Sequence, residues 1–431
     1  MVQPLRLGLA GLGTVGIGVV KIVQRHADLM TMRTGRPVVI TAVSARSKGK
    51  DRGVDLSAYA WEDDPVALAR RDDIDVFVEV MGGHDGAAKD ATEAAIAAGK
   101  DVVTANKALL AHHGQALAEA AEAAGRVIRF EAAVAGGIPV IKSLTEGLAG
   151  NQIKRVMGVM NGTCNYILTR MQNAGLPYET VFEEARQLGY LEADPNLDVG
   201  GIDAGHKLSL LASIAFGTKV AFDHVELEGI GNVSIEDIHL ADEMGYHIKL
   251  LGVAQMSGRG LEQRMTPCLV PADSPFGQLQ GGTNMVMLEG DSVGQIVLRG
   301  PGAGEGPTAS AVMSDVIDIA RGLRLPTFGC PATQLADVCP AKSATPAPYY
   351  MRATLLDKPG ALAKIATCLG DAGISIDQMR QINQQDEQDD KALVLIVTHK
   401  AAPADVAHAM SQFAATGVLV GAPVAIRIEE I

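Results

Sequence analysis

Residues 5–10, "LRLGLA", form a short apolar run. "GLGTVG" follows, and "IGVVKIVQRH" then places apolar residues at helical spacing. The pattern predicts a strand, a tight turn and an amphipathic helix. The alternation continues. "PVVITAVSAR" and "DIDVFVEVMGG" read as strands, "DGAAKDATEAAIAAGK" as a helix and "DVVTANK" as a strand. "ALLAHHGQALAEAAEAAG" then reads as a helix and "RVIRFEAAV" as a strand. This order predicts an α/β fold with a Rossmann-like doubly wound sheet over residues 1–135, whose ligands bind beyond the carboxyl ends of the strands. Those ends carry Gly11, Arg46, residues 81–83, Thr104 to Lys107 and Glu131, which are expected to converge on one crevice.

Residues 328–348, "FGCPATQLADVCPAKSATPAP", lose all periodicity and are rich in Pro, Ala and Ser, as a linker is. Residues 349–431 regain a pattern of strand, helix, strand, strand, helix, strand, with the acidic "NQQDEQDD" as a hairpin tip between the inner strands. That order predicts a ferredoxin-like module. The intervening residues 136–327 are left for a middle α+β domain.

Composition narrows the classes. At 431 residues, 47% of them hydrophobic, the chain is long enough for two or three domains. A net charge of −13 excludes general affinity for nucleic acid or an anionic membrane surface. No apolar run approaches the ~20 residues of a membrane span, and the N-terminus enters a strand without signal-peptide architecture. Five cysteines without metal-like spacing read as reduced thiols, which points to the cytoplasm.

Two stretches carry chemistry. Gly11, Gly13 and Gly16 make G-x-G-x-x-G between a strand and a helix. Such glycines permit the turn, the approach of a pyrophosphate and the packing of helix on strand, with the helix N-terminus at the phosphates. The second strand ends in "SARSKGK" with Arg46 and no acid, which favours the 2′-phosphate of NADP over the ribose hydroxyl of NAD, although NAD stays possible; the alternative is a solvated basic loop. The second stretch is "GYLEADPNLDVGGIDAGHK", residues 189–207. It gathers Glu192, Asp194, Asp198 and Asp203 ahead of Lys207. Spacing alone reads Asp203 and Lys207 more readily as a surface i,i+4 pair than as a site, and "ADPN" is also good turn sequence.

"TANKALL", "EAAVAGGIPVI", "GVMNGTCNYIL", "GYLEADPNLDVGGIDAGHK" and "GPGAGEGPTA" together resemble the motif series of homoserine dehydrogenases, in that family's order, over about residues 5 to 325. The resemblance implies NAD(P)-dependent interconversion of L-homoserine and L-aspartate 4-semialdehyde, with residues 136–327 as the substrate and dimerisation domain and its last helix returning to the first domain. It implies Lys207 as the proton-transferring lysine, Lys107 beside nicotinamide and substrate, and Asp198 near the reacting hydroxyl. Glu192 and Asp203 would bind the substrate ammonium. Gly11, Gly13, Thr14, Val15, Gly16, Arg46, Thr104, Lys107, Gly189 and Gly304 would contact the cofactor. A sodium ion would sit on the Glu131 side chain and the carbonyls of Val134, Gly136 and Ile138. "LLDKPGALAKIA" and "GISI" resemble the ACT domain, a regulatory amino-acid-binding module. That implies feedback by an end product, L-threonine, and a homodimer or homotetramer. The competing readings are another Rossmann amino-acid dehydrogenase and a non-catalytic metabolite sensor. The acidic stretch disfavours a dicarboxylate substrate, and the two lysines disfavour a sensor.

Overall fold

The computed structural model describes residues 2–191, 194–383 and 391–431. Glu192 and most of the acidic hairpin tip therefore lie outside the described residues. Six parallel strands, β1 (Leu5–Ala10), β2 (Val38–Ser44), β3 (Ala60–Glu62), β4 (Val76–Glu79), β5 (Asp101–Thr104) and β6 (Ile128–Arg129), form one sheet in the order β3-β2-β1-β4-β5-β6. The chain order reverses between β1 and β4, and a crevice opens there at the carboxyl ends. Every residue of β4 and β5 is buried, as expected of strands covered on both faces. The helix Glu305–Ala320 packs against this sheet. Its Ala309, Val312 and Val316 pack with Val19, Val20 and the strands in one apolar core. The approach is close: a Cβ on Gly18 would lie 2.8 Å from the Cβ of Ala309.

The second sheet joins what the sequence divides. Its strands are β7 (Ile153–Val159), β8 (Glu226–Leu227), β9 (Tyr246–Ser257), β10 (Gly260–Pro271), β11 (Thr283–Gly290), β12 (Gly294–Pro301), β13 (Tyr349–Leu356), β14 (Ile376–Asn383), β15 (Lys391–Thr398) and β16 (Leu419–Ile428). They run β12-β11-β7-β9-β10-β16-β13-β15-β14, with β8 on β10. The last module has the expected β-α-β-β-α-β order, with helices Ala361–Asp371 and Pro403–Ala415 over its own core. It is nonetheless part of the same sheet, because β16 pairs in parallel with β10 at Cys268↔Arg427 and Leu269↔Ile428.

Buried ion pairs line this seam. Arg264, 2% exposed, donates to Glu262 at 3.0 Å and to Glu429. Arg352 forks onto Asp237 at 2.6 and 3.1 Å. The segment 328–348 is not a free tether. Phe328, Ala332 and Leu335 are buried, Leu261 N–H donates to Cys339 O at 2.8 Å, and Thr345 N–H donates to Glu262 at 2.9 Å. Its irregularity reflects a chain that lies along another domain's surface. No helix among the described residues is long and apolar enough to cross a membrane, and all five cysteines are free.

Candidate active site

The glycine turn is built for a close anionic ligand. Gly11 has φ of 105°, and a Cβ there would meet the Val80 carbonyl oxygen at 2.6 Å; a Cβ on Gly16 would meet the Gly11 carbonyl oxygen at 1.9 Å. The space beside Gly13 is open to 4 Å. The helix Thr14–Arg25 begins there with no side-chain cap, so its first N–H groups are left for a ligand. Thr14 and Val15 line a cavity of about 1030 Å³, which continues past Gly189 and Gly304 to the acidic stretch. The residues therefore fit a dinucleotide. Arg46 is exposed on the loop after β2, two residues beyond Ser44, whose carbonyl accepts from Gly11 N–H at 2.9 Å.

Opposite the turn, the ends of β4 and β5 are locked together. Glu79, fully buried, accepts from Met81 and Gly82 N–H at 2.7 and 3.2 Å and from the Thr104 hydroxyl at 2.6 Å. Thr104 thus lies behind the cavity wall rather than on it, with its hydroxyl committed to Glu79. Asn106 donates to Gly83 O at 2.6 Å and caps the helix Lys107–Ala123 through Leu109 N–H at 3.1 Å. The result is Lys107 at the first helical position, aimed into the cavity against the helix dipole.

The Asp203 carboxylate meets it there. Asp203 stands in the first turn of the helix Ile202–Phe216. One of its oxygens lies 3.0 Å from Lys107 Nζ and the other accepts from Lys207 Nζ at 2.6 Å. Lys207 also donates to Met160 O at 2.8 Å. Asn161 caps the helix Gly162–Ala174 through Cys164 N–H at 2.8 Å and turns its amide to Asp198 at 3.0 Å and Asp203 at 3.3 Å. Asp198, Asp203 and Lys207 are 4, 6 and 9% exposed. Burial alone would push the Asp203 carboxyl up, but the ammonium groups of Lys207 and Lys107 hold it well below the usual carboxylate range. The site is thus a buried anion flanked by two lysines at the wall of the cavity.

Sequence reasoning passes over Glu79, Asn161 and His206. A glutamate inside the apolar run "VFVEV" is itself a signal, since an unpaired buried carboxylate is costly. The imidazole of His206 is buried at 6% exposure and its Nε2 has no hydrogen-bond partner, while burial, then His112, lower its pKa to about 4. Glu131 lies off this cluster. Its carboxylate accepts from Ile141 and Lys142 N–H, each at 2.9 Å, and burial together with Asp315 raises its pKa to about 7. The loop after it turns through left-handed backbone at Ala135 and Gly136.

Comparisons with known proteins point to one family. Residues 139–317 match the homoserine dehydrogenase family, and residues 11–131 match the NAD-binding domain of homoserine dehydrogenase. The homoserine dehydrogenase of Pseudomonas aeruginosa is 40% identical over the whole of both chains. That of Bacillus subtilis is 38% identical over 94% of this chain and 93% of the relative. Among solved structures, a homoserine dehydrogenase from Thiobacillus denitrificans superposes with a TM-score of 0.93 at 38% identity, covering 99% of each chain. A hyperthermophilic archaeal homoserine dehydrogenase in complex with NADPH gives a TM-score of 0.64 at 25% identity, covering 76% of this chain and all of its own.

Proposed function

The chain belongs to the homoserine dehydrogenase family and carries its activity, the NAD(P)-dependent interconversion of L-homoserine and L-aspartate 4-semialdehyde in aspartate-family amino-acid biosynthesis; we propose that Lys207 moves the proton of that reaction. The observation that carries this reading is the single buried carboxylate of Asp203 held between Lys107 and Lys207. When bound, the nicotinamide supplies the hydride chemistry. In the oxidative direction the Lys207 amine takes the hydroxyl proton; in the reductive direction its ammonium returns it to the carbonyl oxygen. Met160 O and Asp203 fix the position of Nζ, and Asp203 stabilises whichever lysine is charged. Lys107 stands where it can polarise the substrate oxygen. Glu192 and Asp203 are assigned to the substrate ammonium, and Asp198 to a place near the reacting hydroxyl. The enzyme is read as acting in the cytoplasm, in keeping with its five free cysteines.

NADP is the proposed cofactor. The loop after β2 offers Arg46 and Lys48, both exposed, and no acid before Asp51; the archaeal relative solved with NADPH is consistent with this. A sodium ion on Glu131, Val134, Gly136 and Ile138 belongs to the same reading. It is supported by an all-oxygen donor set, which suits a hard cation, and by a buried acid whose raised pKa a cation would offset. Assays at the reduced-nicotinamide band test both. Arg46→Ala should raise KM for NADP by about tenfold or more, the equivalent of one charge-assisted contact, and leave KM for NAD nearly unchanged. Equal effects on the two would reduce Arg46 to a surface charge. Replacing sodium with choline in the same assay should lower activity if the cation site is real.

The C-terminal module is proposed to bind L-threonine and lower activity, within a homodimer or homotetramer. A ligand there would act on a strand that is hydrogen-bonded to the catalytic sheet, and the helix Ala361–Asp371 starts at Gly360 without a side-chain cap, next to Asp357. Arg352→Met, which cuts the tie to Asp237, should weaken inhibition while keeping calorimetric threonine binding. Absence of both inhibition and binding at millimolar threonine would leave the module a joint between subunits only.

A further inference from the structure

Each oxidation of an alcohol deposits a proton on the buried cluster, and that proton must reach solvent before the next turnover. Lys207 is 9% exposed, and its ammonium donates to Asp203 and to the Met160 carbonyl. Substrate and cofactor would fill the cavity that leads outward. The neighbouring residue on the same helix, His206, lines that cavity with an unpartnered, buried Nε2.

From His206 a file of imidazoles runs to the surface. Its ring centroid is 5.5 Å from that of His112, on the helix Lys107–Ala123, and His112 is 4.6 Å from His84, on the loop after β4. His112 is exposed, and the His84 side chain is 51% exposed. Asp85 closes the row with Nε2 of His84 at 3.2 Å and Nε2 of His113 at 2.8 Å. Phe222 covers the inner end, its ring 4.2 Å from His206 and 5.6 Å from His112. The other charged groups around the file are Asp203, Lys107 and Lys207 at the inner end and Asp223 beside His112. A neutral imidazole can take a proton at one ring nitrogen while releasing one from the other.

We propose that His206, His112 and His84 relay the reaction proton between the Lys107–Asp203–Lys207 cluster and solvent. The step balances without another reactant. The hydroxyl proton moves to the Lys207 amine, then through water to His206. His206 gives up its own proton to His112, His112 passes one to His84, and His84 releases one to bulk buffer. The groups are positioned for transfer and do not meet the substrate carbon.

The inference rests on Lys207 as the proton-transferring residue. His206→Phe should lower kcat about tenfold in dilute buffer, less than the about 10²–10⁴-fold of a group that meets the substrate directly. Small amounts of imidazole should restore it, and KM for L-homoserine should change little. His112→Phe, at an exposed position where folding is not at risk, should show a smaller loss with the same rescue. In both variants the solvent deuterium effect on kcat should grow and the effect of deuterating the substrate carbon should shrink, because proton release becomes limiting. A purely structural role would lower kcat or raise KM without imidazole rescue, and that result overturns the relay. Unchanged kcat in both variants across buffer strengths overturns it too. If Lys207→Ala itself keeps turnover, the failure lies in the assignment of Lys207 and is visible as such.

Discussion

Lys207→Ala is expected to lower turnover of L-homoserine by about 10²–10⁴-fold, the range for removing a group that transfers a proton in the transition state, with cofactor affinity retained. The fold should survive, because Asp203 keeps Lys107 at 3.0 Å as a counter-ion and Asn161 at 3.3 Å as a donor. The glycine turn that holds the dinucleotide lies across the cavity and loses no contact. Lys207→Arg separates charge from chemistry. A guanidinium can keep the pair with Asp203, yet it does not give up its proton near neutral pH, so this variant should be nearly as inactive as the alanine. Steady-state rates in both directions, with a cofactor titration of each variant, provide the check. A folded Lys207→Arg enzyme with turnover within a few-fold of the parent would mean that Nζ supplies electrostatics only, and the proton acceptor would have to be sought at Lys107 or Asp198.

How much of this was legible in the chain depends on distance along it. Most strands of the first sheet stand out because each is a short, largely buried apolar run between turn residues. β3 does not, since Ala60–Trp61–Glu62 is too short and too mixed to carry a period. The pairing of Asp203 with Lys207 follows from i,i+4 spacing, but that spacing could not distinguish a surface pair from this one at 8 and 11% side-chain exposure. The contact of Asp203 with Lys107 joins residues nearly a hundred positions apart and leaves no local trace; only the resemblance of the flanking motifs put both lysines in one site. The same limit hides the seam between the last module and the catalytic sheet. β10 and β16 touch through two residue pairs about 160 positions apart, and parallel pairing at that separation has no turn to announce it. A chain cut near Pro346 would thus lose more than a regulator. It would bare β10 and take Glu429 from the buried Arg264, so its thermal stability should fall whatever becomes of threonine binding.

Asp203→Asn is expected to cost about 3 kcal/mol of stability at neutral pH, the lower end of the loss on breaking a buried ion pair, because the Lys107 side chain is 30% exposed and can be partly resolvated. The substitution is nearly isosteric, so no cavity contributes. What changes is charge: two ammonium groups converge on an amide, and the new NH₂ must face either a lysine or the Asn161 amide, both of them donors. The pH dependence has a definite sign. Burial opposes the Asp203 charge, but Lys207 and Lys107 prevail and its folded pKa lies below the unfolded value of about 3.9. Its contribution is therefore complete above that unfolded value and is lost as the pH falls towards the folded one. Denaturant midpoints of parent and variant should differ most at pH 5 to 8 and converge in acid. Turnover should fall by about a hundredfold at neutral pH, since Nζ of Lys207 keeps only the Met160 carbonyl to aim it. A variant as stable as the parent at pH 7 would show that the two lysines find other counter-charge in the cavity, Asp198 first among them, and Asp203 would then be a ligand for the substrate ammonium rather than the hinge of the lysine pair.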